Sequence, residues 1–279
     1  MKTVDLNLFK QHSTTGFTLI EMVVVIVITG VIAASVAVFL KLPVQGYVDA
    51  ARRAEISDIA DTSLRRMKLD LRLALPNSIR ITDGGKTLEL LLTRTGGRYR
   101  TEGVGFLDFS QATSSFAQLG PLSSGLGMSI VAGDKLVIYN LGIAGADAYA
   151  GDNSADISSV NTAAPSEPVF SYNAKKFPFE SPEARFQVVE GPVSYVCDTT
   201  SGKLTRYAVY PITPTQPTAA GLAASSAQRG LAANNVSACA FTYTPGVTAR
   251  SGVAALSLKI TLNGESVQLY QEAHVSNVP

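Results

Sequence analysis

The chain has 279 residues, of which 46% are hydrophobic, and its 23 basic and 22 acidic side chains leave a net charge of +1. That balance does not favour bulk nucleic-acid binding, which needs a basic stripe to neutralise phosphates, so we expect no nucleic-acid partner. The sequence has no P-loop, no nucleophile elbow and no His-Glu-x-x-His motif, and it holds only two histidines, His12 and His274. We therefore expect neither an enzyme nor a cofactor.

The N-terminal part of the chain changes from polar to apolar at Phe17. The 24 residues of Phe17–Leu40 contain one charged side chain, that of Glu21. A helix of this length spans roughly 36 Å, which exceeds the hydrocarbon core of about 30 Å. The sequence therefore predicts a single membrane-spanning helix. Because a carboxylate in such a segment is costly, Glu21 is predicted to be functional.

The stretch GFTLIE, residues 16–21, resembles the prepilin leader of type IV pilins and type II secretion pseudopilins. The resemblance implies that a prepilin peptidase and N-methyltransferase cleaves between Gly16 and Phe17 and methylates Phe17. It also implies that Glu21 meets the terminal ammonium of a neighbouring subunit and sets its register in a filament. The implied partners are other major and minor pilins, the inner-membrane assembly platform and the membrane itself.

Two alternatives stay open for this segment. Ser35-Val36-Ala37 has the small-residue pattern of a conventional signal-peptidase site, which would release a secreted protein that begins at residue 38. Glu21 also fits a solvated or protonated carboxylate near the membrane edge.

Beyond Leu40 the pattern predicts an amphipathic second half of the same helix, which ends at Pro76. Pro43 and Gly46 are expected to bend or locally unwind it. Apolar residues recur at steps of three and four and predict the face that seats a globular domain: Ile56, Ala60, Leu64, Met67, Leu71 and Leu75. The predicted divisions are a leader at 1–16, a membrane helix at 17–40, the amphipathic half at 41–76 and a β-rich domain at 77–279.

After Pro76 the periodicity becomes that of β-strands. A hairpin is predicted around Asp83-Gly84-Gly85, and Asn263-Gly264 predicts a second hairpin near the C-terminus. The predicted strands are Ser78–Ile81, Leu88–Leu92, Arg98–Phe109, Ser129–Asn140, Ala184–Glu190, Val193–Cys197, Leu204–Pro211, Cys239–Thr244, Ala254–Leu262 and Ser266–Val275. Two stretches, Leu141–Lys176 and Thr213–Arg229, are predicted to be irregular. The predicted fold class is α+β, a pilin-like fold with a long N-terminal helix on an antiparallel β-sheet domain.

Export would place this domain in the periplasm, with the protein anchored in the inner membrane by one span. In that oxidising compartment we expect a disulfide between Cys197 and Cys239, and two free, buried thiols are the alternative. The acidic loop that holds Asp147, Asp152 and Asp156 offers oxygen ligands of the kind that calcium prefers, but without EF-hand spacing. A solvated loop is the alternative to this weak calcium site.

The function expected from these features is structural. Residues 51–78 and 272–279 resemble the minor pilin-like proteins of the mannose-sensitive haemagglutinin (MSHA) pilus system. The resemblance implies a minor subunit in pilus assembly. A J-like minor pseudopilin of type II secretion and a binding or adhesion subunit at the fibre tip are the alternatives.

Overall fold

The computed structural model describes residues 16–122, 130–246 and 251–276, apart from the side chain of Leu42. The predicted leader, except Gly16, lies outside the described residues, as do Ser129 at the start of one predicted strand and residues 277–279. The chain divides into two compact units, residues 1–51 and residues 52–279.

A single helix, α1, extends from Leu19 to Arg72 over 54 residues. It continues through Pro43 and Gly46, so the local unwinding predicted there does not occur. A proline removes one backbone N–H, and the turns on either side keep their hydrogen bonds. After Arg72 the chain makes a 3₁₀-type turn, in which the Ala74 amide donates a hydrogen bond to the Leu71 carbonyl at 3.3 Å.

Strands dominate the described chain after α1 and confirm the predicted α+β class. In chain order the elements are β1 Arg80–Thr82, β2 Thr87–Tyr99, β3 Thr113–Leu119, β4 Lys135–Val137, β5 Ser154–Asn161, β6 Val169–Lys175, β7 Arg185–Asp198, β8 Lys203–Ala208, α2 Ala219–Ala224, β9 Gln228–Ala233, β10 Val236–Thr244, β11 Gly252–Leu262 and β12 Glu265–Val275. Neighbouring strands are antiparallel, as the two hairpin signals predicted.

Nine strands form one sheet in the order β1-β2-β3-β6-β5-β4-β7-β8-β9, and β2 also pairs with β7. This additional pairing closes β2, β3, β6, β5, β4 and β7 into a ring of strands. The ring encloses an aromatic core of Tyr99, Phe116, Phe170, Tyr172, Phe177 and Phe186. The rings of Phe116 and Phe170 stack with their centroids 5.4 Å apart. Side chains therefore fill the interior of the ring, as in other small barrels.

The amphipathic part of α1 lies in a second core that it shares with both sheets. The predicted stripe is buried from Ile56 to Leu71. Its partners come from β2, β7 and β8 of the larger sheet and from the separate sheet β10-β11-β12. Burying one apolar stripe between two sheets removes it from water, and this is the main stabilising contribution of the helix.

A buried carboxylate fixes α1 against the larger sheet. Asp70 is 3% exposed and lies in the last turn of the helix. It accepts hydrogen bonds from the Tyr195 hydroxyl at 2.8 Å and from Arg206 Nε at 2.7 Å. The cation offsets the desolvation of the carboxylate, and the hydroxyl satisfies it further. Asp70 thus sets the register of the helix on β7 and β8.

The predicted disulfide is present and joins the two sheets, because Cys197 lies in β7 and Cys239 in β10. The turn between β1 and β2 lies beside the disulfide. A hydrogen bond fixes it there, because the Gly85 carbonyl accepts the Phe241 amide N–H at 2.8 Å. Gly85 has φ of +87°, and a Cβ there would lie 3.0 Å from the Phe241 carbonyl oxygen. Only glycine fits this close approach without strain.

The prediction that Leu141–Lys176 and Thr213–Arg229 are irregular was wrong. The first stretch contains β5 and β6, and the second contains α2 and the start of β9. In β5 only Ala155 and Ile157 are buried, so most of the strand is polar and its alternation is weak in the sequence. Pairing with neighbouring strands decides these elements, and that pairing is non-local.

Other strand predictions had wrong bounds. In the described part of Ser129–Asn140 only Lys135–Val137 forms a strand, β4. Strand β2 ends at Tyr99, so Arg98–Phe109 is mostly outside it. Strand β7 continues through Gly191-Pro192, where two strands were predicted. On one side β7 pairs with β4 up to Val189 and with β8 from Val193. Pro192 lies in the gap between these partners, where a missing N–H leaves no partner unpaired.

Glu89 is a second buried carboxylate, at 1% exposure, on β2. Arg80 Nε donates to it at 2.8 Å, and the Tyr210 hydroxyl donates to it at 2.9 Å. The Arg80 guanidinium also stacks on the Tyr149 ring, 3.4 Å from its centroid. Burial raises the pKa of Glu89, although Arg80 and Tyr210 oppose this shift.

Replacing both Cys197 and Cys239 by Ser should lower the free energy of unfolding by about 4 kcal/mol, because a cross-link around a loop of about 43 residues restricts the unfolded chain. Urea denaturation of the full chain in detergent measures the difference. Equal midpoints for the variant and the wild type would contradict the expected contribution of the disulfide.

The stability of the protein should depend on pH through Glu89. Because its pKa is raised in the folded state, the stabilisation from its proton is complete below the ordinary value of 4.5 and is lost as the pH rises through the folded pKa. Glu89→Gln cannot titrate, so the wild type should lose stability relative to the variant as the pH rises from 4.5. Denaturation curves of both proteins at several pH values measure this, with the exposed Glu183→Gln as the control. A difference that stays constant with pH would show that Glu89 keeps its ordinary pKa.

Candidate functional site

The bond predicted to be cleaved lies in an exposed segment before the first helix. Gly16, Phe17 and Thr18 precede α1, which begins at Leu19. Phe17 is 78% exposed, and a Cβ added at Gly16 would meet nothing within 4 Å. A peptidase needs an accessible backbone outside regular structure, and the Gly16–Phe17 bond lies in an exposed segment outside the helix.

Thr18 is the residue that begins α1, a role that sequence reasoning missed. Its Oγ1 accepts a hydrogen bond from the Glu21 amide at 3.3 Å, and its carbonyl accepts one from the Met22 amide at 3.2 Å. These bonds satisfy amides that a helix N-terminus otherwise leaves unpaired. The pattern Thr-x-x-Glu was the available signal, since Ser or Thr three residues before Glu is a capping-box sequence.

Glu21 lies in the first turn of α1, where a negative charge interacts favourably with the helix dipole. The described residues give its exposed carboxylate no hydrogen bond and no ion pair. All the large apolar side chains around it are exposed, among them Phe17, Leu19, Ile20, Val24 and Val25. At this position a carboxylate can pair with a cation from another molecule.

The rest of the segment up to Leu40 presents apolar side chains on every face. None of its most apolar part is buried, and by length and composition it can span a membrane. The Thr29 and Ser35 hydroxyls donate to the carbonyls of Val25 and Val31 at 2.5 and 2.9 Å. These two polar groups are therefore satisfied within the helix and do not need water.

The calcium candidates are engaged with neighbouring groups. Asp147 accepts the Tyr149 amide, and Asp152 accepts the Gly145 amide, each at 2.9 Å. Asp156 is ion-paired with Lys135 on the adjacent strand. Across residues 16–122, 130–246 and 251–276 no group of three His, Cys, Asp or Glu side chains is placed to hold a metal ion. The calcium hypothesis therefore gains no support from the geometry.

Comparison with known proteins gives one match. Residues 12–37 fit the family model of the prokaryotic N-terminal methylation motif. No curated protein and no solved structure matches the chain. The motif supports a type IV pilin-like prepilin or a pseudopilin, and it implies processing by prepilin peptidase and assembly with other pilins. With the apolar helix, it fits a membrane-anchored protein with a single span.

Thr18→Ala should fray the first turn of α1, because loss of an N-cap typically costs about 1 kcal/mol. Hydrogen exchange of the full chain in lipid nanodiscs should then be faster at the amides of Leu19 to Met22. Thr18→Ser keeps the hydroxyl and should exchange like the wild type. The capping role is disproved if Thr18→Ala leaves these exchange rates unchanged.

Proposed function

We propose that this chain is a minor pilin-like subunit of an MSHA-type pilus, made as a precursor that is cleaved between Gly16 and Phe17. The observation that carries the proposal is the methylation motif at residues 12–37. It lies at the start of an exposed apolar helix whose one carboxylate is that of Glu21. Residues 51–78 and 272–279 resemble MshO, a minor pilin-like protein of the MSHA pilus system, and this resemblance supports the MSHA system in particular.

Cleavage before the apolar helix leaves that helix on the mature protein and creates an ammonium at Phe17. Phe17 lies two residues before α1 and Glu21 lies in its first turn, so the ammonium and the carboxylate lie at the same end of the segment. A single buried charge in an apolar fibre core is costly, whereas two opposite charges offset each other's desolvation. Pairing Glu21 with the ammonium of a neighbouring subunit therefore fixes one axial offset between adjacent helices.

The rest of the segment lets such helices pack closely. Gly30 has open space where a Cβ would lie, and Ala33 and Ala34 follow it within one turn. Small residues allow helix backbones to approach in an apolar environment, where packing replaces the hydrophobic driving force. The proposed placement is an inner-membrane span with residues 52–279 in the periplasm, and the Cys197–Cys239 disulfide is consistent with that oxidising compartment.

The most direct test of the proposed processing is mass spectrometry of the mature N-terminus. We expect a mature chain that begins at N-methylated Phe17. A mature chain that begins at residue 38, after Ser35-Val36-Ala37, would show that a conventional signal peptidase removes the helix, and the proposal would then fail.

Glu21→Ala should be cleaved and methylated like the wild type but should enter the assembled fibre poorly, because its helix lacks the charge that selects the axial offset. The matched control is Thr29→Ala, which removes a polar group that bonds only within its own helix. Immunoblots of membrane and sheared-fibre fractions measure processing and incorporation separately. Incorporation of Glu21→Ala at the level of Thr29→Ala would rule out the register role.

A further inference from the structure

A groove of about 850 Å³ opens where β7 changes partners, between the end of its pairing with β4 and the start of its pairing with β8. Three apolar side chains of its lining are each at least half exposed, those of Leu69 on α1, Val131 before β4 and Val209 after β8. Single exposed apolar side chains are ordinary, whereas several that share one concave surface indicate a binding site.

The backbone at Val209 is strained, and its apolar side chain stays exposed in the groove. Its φ is +58°, a left-handed conformation that β-branched residues rarely adopt. The residue after it is fixed in the interior, because the Tyr210 hydroxyl bonds with Ser194 and donates to Glu89. Strain of this kind persists where the surroundings impose it, and it is concentrated at sites that bind other molecules.

Arg66 has the most exposed charge of the groove. Its partner Asp70 lies 3.5 Å away and already accepts hydrogen bonds from Tyr195 and Arg206. Glu190, the exposed carboxylate of the lining, lies beside a cation of its own. The groove therefore combines an apolar surface with one guanidinium that can pair with a carboxylate from outside.

The ring of strands presents matching side chains at one of its ends. Strands β2 and β7 are neighbours where the first ends and the second begins, so the loops 100–112 and 176–184 leave the ring on the same side. These two loops form what we call the ring end. It carries Val104, which is 95% exposed, and Phe179, which is half exposed.

The turn that projects Val104 is fixed to the ring. Gly105 has φ of +79°, and its carbonyl accepts the Ala117 amide at 2.8 Å. Beside this turn Glu102 is exposed, and within the described residues it makes no hydrogen bond and no ion pair. A fixed apolar side chain with a carboxylate beside it loses little freedom on binding, and it complements an apolar groove with an exposed cation.

These two complementary surfaces do not meet within one chain. Strand β7 begins at Arg185 beside the ring end and reaches the groove at Pro192. A strand rises about 3.3 Å per residue, so these positions are about 23 Å apart, and the loops of the ring end leave in the opposite direction. A second copy of the chain can bring the two surfaces together. Such a contact joins different patches of the two copies, so it adds copies in a row and does not close a symmetric pair.

We propose that the ring end of one copy of this chain binds the groove of a second copy. Val104 packs against the exposed apolar side chains of the groove, and Glu102 pairs with Arg66. The inference goes beyond the proposed function, because this contact needs neither Glu21 nor the apolar helix. A row of copies joined in this way keeps a free groove at one end and a free ring end at the other, as an extending assembly requires.

The test cross-links two differently tagged copies of the full chain, purified in detergent, with a short bismaleimide. One copy carries Val104→Cys, and the other carries Leu69→Cys in the groove. The matched control for the second copy is Leu231→Cys, which replaces a leucine of similar exposure outside the groove. The native cysteines form a disulfide and do not react. We expect about tenfold more mixed product with Leu69→Cys than with Leu231→Cys.

A charge exchange tests the ion pair separately. Glu102→Lys in the first copy, or Arg66→Glu in the second, should lower the yield of mixed product about threefold, because like charges then meet. The two changes together should restore the yield. Hydrogen exchange of the β7 amides establishes that each variant is folded.

Three results would overturn the proposal. They are equal yields with Leu69→Cys and Leu231→Cys, a dominant product between two Val104→Cys copies, and charge variants that leave the yield unchanged. The cross-link is measured on purified chains, whereas processing at Phe17 and incorporation into fibres are measured in cells. Failure of this contact is therefore distinguishable from failure of the proposed function.

Discussion

One helix has to satisfy two environments, and the rest of the protein depends on this constraint. From Leu19 to Leu40 the large apolar side chains of α1 are exposed, so they need lipid or other helices around them. From Ile56 to Leu71 only one stripe is apolar, and two sheets bury it. The sequence changes from continuous to periodic hydrophobicity between these parts, and that change separates the anchoring part of the helix from the part that seats the domain.

Buried charges specify how the sheet domain is seated and ordered. Apolar packing alone tolerates small shifts of a helix along a sheet, whereas Asp70 is satisfied only where Tyr195 and Arg206 both reach it. Glu89 acts in the same way within the sheet, where Arg80 and Tyr210 converge on one carboxylate. Each pair contributes little net stability after desolvation, but the loss of one partner leaves an uncompensated charge. Their contribution is therefore to the uniqueness of the fold.

The sequence predicts elements whose signal is local and misses those that depend on distant partners. Both parts of α1 and the hairpin around Asn263-Gly264 were predicted, because their periodicity and turn residues are continuous in the chain. Strands β5 and β6 were missed, because they become strands by closing the ring between β3 and β4. The same division applies to the candidate site. The motif around Gly16 is a continuous stretch of sequence and was predicted from it. The Thr18 cap also has a local sequence signal, but it was overlooked.

Membrane anchoring changes how strong a contact between subunits needs to be. Chains held by one span share a thin layer, so their effective concentration is high and a contact that is weak in solution becomes significant. Hydrogen bonds and surface ion pairs between sheet domains suit this situation, because each contributes about 1 kcal/mol. The apolar helices can then supply most of the cohesion of a fibre without selecting which subunit is next. In the proposed fibre, selection between neighbours would fall to residues 52–279, because Glu21 is the one charged side chain that the apolar helix offers from Phe17 to Leu40.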